Sequence, residues 1–252
     1  MQGRAPLFGY GMQAAGADLQ SCDGCDLELV NADFSGADLR DARFRGADLR
    51  GVDLRDAMAS ADFSGANLCR ADLRAADLRG AVLRDVRLEL ARYDRDTRWP
   101  EGFDFVRSGA VGPGASLAGR FLNTADLRGM DLRGARMLGI YMSGADLRGA
   151  LLQDIGFANG DLRRSRFCGA LMNGCRFGYV QAEQCDFRGA DLSGADFSEV
   201  GSIAGAIFSG VVGLETIRDH LLSRHYRELD CWNSLARCTT RESIEARQGA
   251  AP

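Results

Sequence analysis

Two groups of side chains have the types and spacing to do chemistry. Cys22 and Cys25 stand three positions apart, a metal-ligand spacing, and the C-terminal tail gathers His220, His225, Cys231 and Cys238. A structural zinc site takes four such ligands in a tetrahedron. No second pair accompanies Cys22 and Cys25, and His220 and His225 are five positions apart, so on a helix they diverge. The abundant Asp residues could hide a glycosidase-like carboxylate pair, but nothing in the sequence marks a cleft. There is no metalloprotease His-Glu pair, no Gly-x-Ser-x-Gly turn and no Gly-Lys-Ser phosphate loop; the chain has no Lys at all. Gly112-Pro113-Gly114 begins like a dinucleotide fingerprint, yet Leu117 stands where its third Gly belongs. No catalytic residue, cofactor or metal is expected, which leaves binding as the chemistry to explain.

The elements that position the side chains follow from one repeated phrase. Ala32 to Arg55 runs Ala-Asp-Phe-Ser-Gly, Ala-Asp-Leu-Arg-Asp, Ala-Arg-Phe-Arg-Gly, Ala-Asp-Leu-Arg-Gly, Val-Asp-Leu-Arg. The leading residue is small and the central one is Leu or Phe. A period of five fits neither the strand period of 2 nor the helix period of 3.6. A solenoid can bury both apolar positions if each pentad forms one side of a square coil and four pentads close a turn. Stacked turns then lie about 4.8 Å apart and satisfy each other's backbone groups. Glycine at the fifth position suits a tight corner. This places Cys22, Cys175 and Cys185 inward in the alanine position, and Cys25, Cys69 and Cys168 outward.

The phrase Ala-Asp-Leu-Arg-Gly, as at Ala76 to Gly80, Ala125 to Gly129 and Ala145 to Gly149, resembles the signature of the pentapeptide-repeat family. The resemblance runs over roughly residues 17 to 210. It implies an all-β solenoid, the family's right-handed quadrilateral β-helix, and leaves function open. The repeats themselves divide the chain into a lead-in (1–16), a first block (17–95), an inserted loop (96–114), a second block (115–210) and a tail (211–252). One residue is missing from the phase around Ala57 to Ser60, and one is added before Ala206.

In the tail, Leu214, Ile217, Leu221, Leu222 and Leu229 recur at helical spacing and predict an α-helix that either caps the coil or dimerises. Thr239 and Glu242 form a capping-box pattern for a second short helix through Ile244 to Arg247, and a disordered end is expected over 248–252. The formal net charge is -4, with 31 basic residues, all Arg, so the strong basic excess of a nucleic-acid binder is missing. With no apolar run long enough to span a bilayer and no signal-peptide pattern, a cytoplasmic protein is expected.

Most acids precede an outward Arg two positions on, which cancels their charge. Asp18, Asp23, Asp26, Glu28, Asp33 and Asp38 differ, because no Arg stands among them. They predict a negative end that attracts a basic partner. Several members of the resembled family mimic a DNA duplex and occupy a type II topoisomerase, which would make DNA gyrase or topoisomerase IV the partner, with antibiotic resistance as a consequence. The alternative is a scaffold or regulatory module without DNA mimicry. Its surfaces would be Trp99 and Phe103 of the inserted loop, and two apolar pairs at twenty-residue spacing, Phe121 with Tyr141 and Leu151 with Leu171. Those pairs are expected to be covered by the loop or tail, or by a partner.

Overall fold

The computed structural model describes residues 9–246. The lead-in before Gly9, Arg247 and the 248–252 end lie outside the described residues. The chain divides into two compact units, Met1–Ala115 and Ser116–Pro252.

In the first unit, parallel bridges join each outward residue before the centre to its counterpart one turn later. Asp18 pairs with Asp38, Asp33 with Asp53, and Asp53 with Asp72. The spacing is twenty residues up to Asp38 with Met58, nineteen from Arg43 with Asp62 to Met58 with Asp77, and twenty again from Asp62 with Val82, so the missing residue falls between Met58 and Asp62. The core is the expected double file. Ala37, Ala42 and Ala47 lead their pentads, Leu39, Phe44 and Leu49 occupy the centres, and all are essentially inaccessible. Pentads end at corner residues in the left-handed backbone region, such as Gly46 at φ 65° and Asp41 at φ 61°. Gly24, at a centre where Leu or Phe is usual, is filled from the next turn: a Cβ there would lie 2.7 Å from the Phe44 ring.

The stretch 96–114, expected as a loop, stays in the ladder at both ends. Arg98 bridges Asp77 and Val111 bridges Arg92, while Thr97 and Ala110 are buried in the leading position. Trp99 falls at a centre. Its ring stacks on Phe103 (5.5 Å, 24°) and Phe105 (5.5 Å, 2°), and Tyr93 meets Trp99 and Phe105 edge-on. The rings replace the missing pentads as a small core, with a 3-10 turn at Phe105–Arg107.

The second unit repeats the pattern. Spacing is twenty residues up to Arg176 with Asp196 and twenty-one from Gln181 with Ser202, which puts the added residue at Gly201. Phe157, Phe177 and Phe197 stack on one side of its core, and Phe167, Phe187 and Phe208 on another. Where the leading residue is polar, it donates to the central carbonyl of the preceding turn: Ser165 to Met142, Cys175 to Leu152 and Cys185 to Leu162. Burial raises the Cys185 thiol and pushes that of Cys175 up to about 12, so these cysteines are inert core groups. Among the described residues every cysteine is free.

The tail holds helices α1 (Leu214–Leu222), α2 (Tyr226–Leu229) and α3 (Thr240–Glu245), and a hairpin of β1 (Trp232–Asn233) and β2 (Cys238–Thr239). The single helix expected to reach Leu229 breaks at Ser223 to His225. There Arg224 turns inward to donate to the carbonyls of Val200 and Gly201, and His225 caps α2 through Nδ1. The Thr239–Glu242 capping box of α3 is complete.

The tail caps the last turn with side chains that stand in for the backbone of a following turn. Glu228 accepts from Ile203 N–H and Ser243 from Phe208 N–H; Asn233 and Thr240 donate to the carbonyls of Gly205 and Ile203. Leu214, Ile217, Leu221 and Leu229 are buried and Leu222 is half-buried. Of the two roles expected for these residues, capping is the one their burial within the chain supports.

Candidate protein-interaction surfaces

The first candidate surface is the acidic opening. Asp18, Asp23, Asp26 and Glu28 are exposed, and Asp33 and Asp38 half-buried. The bridge between Asp18 and Asp38 sets two carboxylates side by side, and the file Asp33, Asp53, Asp72 continues the arrangement over three turns.

What separates the opening from the rest of the first unit is the partner two residues on. From Asp38 onward most such acids receive a forked arginine. Arg40 donates from Nε and Nη2 to both Asp38 oxygens, and Arg50 to Asp48, Arg55 to Asp53, Arg74 to Asp72 and Arg79 to Asp77 do likewise, with closest approaches of 2.6 Å. Asp126, Asp131, Asp146, Asp161 and Asp186 of the second unit carry the same fork. Ahead of Asp38 the residues two positions on are Gln20, Cys25, Val30 and Ser35, none of them cationic. Arg43 reaches Asp23 across a turn at 2.7 Å. Asp18, Asp26, Glu28 and Asp33 form no ion pair among the described residues, although Arg40, Arg50 and Arg55 of the next turn lie in the fields of Asp18, Glu28 and Asp33.

The forks also set acid stability. Hydrogen bonds from the paired arginines hold the Asp38, Asp48, Asp146 and Asp161 carboxyls below the usual range, and Asp77 is lowered to about 2. For Asp186, burial raises the pKa, but the Arg188 fork and its neighbours outweigh this and the net direction is down. A folded-state value below the unfolded one, about 3.9, stabilises the fold above that pH and is lost as the pH falls through the folded value. Thermal melts should therefore be flat from pH 7 to about 5 and fall steeply between about pH 4 and pH 2.

The second candidate surface lies on the second unit. Phe121 and Tyr141 pair in register and stack at 4.7 Å and 15°, yet remain 69% and 44% exposed. Leu151 is half-buried and Leu171 is 39% exposed, in a paired file running Asp131, Leu151, Leu171, Asp191, Val212. The expectation that the rest of the chain covers these pairs is corrected by their exposure. Trp99 and Phe103 of the first unit fare differently, since their ring faces are taken up by their own cluster. Val212 and Leu138, 55% and 57% exposed, were not anticipated, although the twenty-residue register that found Leu171 also marks them as outward.

Among the described residues no three His, Cys, Asp or Glu side chains gather as a metal site, and no helix is long and apolar enough to cross a membrane.

No curated protein matches the chain. Among solved structures, alr5209, a pentapeptide repeat protein from Nostoc PCC 7120, is 40% identical over 39% of this chain and 82% of its own, with a TM-score of 0.38. HetL from the same cyanobacterium, a pentapeptide repeat protein involved in regulating heterocyst differentiation, is 28% identical over 81% of this chain and 90% of its own, with a TM-score of 0.27. QnrB1, a plasmid-mediated fluoroquinolone resistance protein, is 13% identical over 88% and 99%, with a TM-score of 0.27. The family description "Pentapeptide repeats" matches in eight copies over 14–57, 58–92, 114–149, 150–189, 161–200 and 172–212, well over half the chain. With its inward Ala and Leu or Phe files and its ladder of about twenty residues, the chain belongs to the pentapeptide-repeat family.

Proposed function

We propose that the chain is a right-handed quadrilateral β-helix that acts in the cytoplasm by binding another protein, without catalysis, and that its acidic opening occupies the DNA-binding surface of a type II topoisomerase. The observation that carries this reading is the change in carboxylate pairing at Asp38. Behind it, arginine forks neutralise most outward acids. In front of it, Asp18, Asp26, Glu28 and Asp33 have no ion pair among the described residues. A surface built to hold a phosphate backbone is the basic counterpart of such a face, and complementary charge both speeds encounter and fixes the partner. The reading is tested by competition with duplex DNA for purified DNA gyrase and topoisomerase IV. A variant carrying Asp18→Asn, Asp26→Asn, Glu28→Gln and Asp33→Asn should lose at least about tenfold in apparent affinity, about 1.4 kcal/mol.

A second reading, a scaffold or regulatory module without DNA mimicry, is favoured by a different observation. Phe121, Tyr141 and Leu171 stay exposed at positions where acids or arginines prevail elsewhere, and exposed apolar surface of this kind marks partner contacts.

A further inference from the structure

From Asp18 to Asp53 the outward residue before each pentad centre is acidic at every position but one, Arg43. The arginines that follow the centres in this stretch are engaged elsewhere. Arg40, Arg50 and Arg55 fork onto Asp38, Asp48 and Asp53 at 2.6 Å, and Arg45 leans toward Asp62 at 3.9 Å. Arg43 has no fork of this kind, because its own pentad, Ala42 to Gly46, holds no acid. It reaches back one turn instead. The ladder sets Arg43 in register with Asp23, and its Nη2 donates to Asp23 Oδ2 at 2.7 Å.

This pair differs from the forks of the first unit in two respects. It joins two turns, and both side chains are more than half exposed, 60% for Arg43 and 53% for Asp23, whereas the forked acids are largely shielded. An ion pair so exposed is worth no more than about 1 kcal/mol, so a cation brought by a partner can replace the guanidinium. Asp23 keeps its place without Arg43, since its Oδ1 also accepts from the Cys25 N–H at 3.2 Å. On its other side Arg43 is in register with Asp62, whose Oδ1 is already taken by the N–H and hydroxyl of Ser64. Among the described residues Asp23 is therefore the acid that Arg43 neutralises.

We infer that Arg43 is an internal competitor in the acidic opening, an autoinhibitory contact that occupies Asp23 and that a basic partner must displace. The inference rests on the reading of that opening as the contact surface for a basic partner. Asp18, Asp26, Glu28 and Asp33 meet such a partner without an ion pair being broken. At Asp23 the partner's cation exchanges one pair for another and meets Arg43 with like charge at close range. Arg43 thus holds the affinity down. Its removal tightens binding, the opposite of what the loss of a contact residue does.

The test measures binding of a labelled hexalysine peptide, a probe of charge alone, by fluorescence anisotropy at low salt, with duplex competition for DNA gyrase and topoisomerase IV run in parallel. Arg43→Gln should bind the peptide at least about threefold more tightly than the wild type. Arg166→Gln makes the same change of net charge at an exposed arginine of the second unit that has no ion pair among the described residues, and should gain less than about twofold. In an Asp23→Asn background the gain from Arg43→Gln should also fall below about twofold. Gln13 and Gln181 hold the same outward position, so Arg43→Gln should fold, as circular dichroism will verify. The inference is overturned if Arg43→Gln binds the peptide no better than Arg166→Gln does, or if its gain survives Asp23→Asn. It is also overturned if Arg43→Gln binds more weakly, since Arg43 would then be a contact residue. Peptide binding that follows the prediction while neither enzyme is bound upholds the competitor and removes the topoisomerase reading. Displacement of DNA by the wild type, with no gain for Arg43→Gln toward peptide or enzyme, does the reverse.

Discussion

Replacing Phe177 with alanine is expected to lower the unfolding free energy by about 3–5 kcal/mol, the largest effect of any single change considered. Phe177 is fully buried at a central position, stacked on Phe157 at 5.6 Å and on Phe197 at 4.1 Å, with Phe187 edge-on at 6.0 Å. Each turn contacts only its neighbours, so the cavity has turns above and below that are fixed by their own ladders and cannot collapse into it. Urea titration should show an earlier midpoint with an unchanged slope. Phe121→Ala supplies the contrast: that ring is also stacked but is 69% exposed, and its loss should cost no more than about 1 kcal/mol. Equal losses for the two variants would mean that the phenylalanine file is not the core of the second unit.

The second large effect is expected at Asn233. It is 3% exposed, its Nδ2 donates to the Gly205 carbonyl at 2.7 Å, and its Oδ1 accepts from the N–H groups of Leu235 and Ala236. Asn233→Ala strands a buried carbonyl and frees two turn amides at once, at a cost of about 1–3 kcal/mol. The damage should be local. Amide exchange should accelerate at Ile203 and Phe208, whose N–H groups the tail also holds, and stay slow at Phe167 and Phe177. Uniform acceleration along the second unit would show that the tail supports the whole fold and is more than a lid on its last turn.

What the sequence disclosed, and what it withheld, follow from one cause. A five-residue period states which residues are inward, so the Ala and Leu or Phe files, the corner glycines, the phase slips near Ala57 and Ala206 and the outward positions of Phe121 and Leu171 could all be counted off, though not that Phe121 and Leu171 would stay uncovered. Features that depend on departures from the period could not. Thr97, Arg98 and Val111 keep their places in the ladder although the spacing around Trp99 is broken, because aromatic packing replaces the missing pentads. The helix break at Arg224 reflects two carbonyls of the last turn that need donors, a tertiary demand that helical spacing does not encode. In the acidic opening the residue types were legible, while the arginine forks that set it apart from later turns needed side-chain geometry.

The central claim is that the acidic opening takes the place of DNA on a basic enzyme surface. Its most direct test is equilibrium competition between the purified chain and a labelled DNA duplex for DNA gyrase and topoisomerase IV at two salt concentrations. The account predicts that the chain displaces the duplex, that displacement weakens as salt rises, and that the Asp18→Asn, Asp26→Asn, Glu28→Gln, Asp33→Asn variant needs at least about tenfold more protein. Failure to displace DNA from either enzyme at low salt, or displacement that the variant achieves equally well, would contradict it.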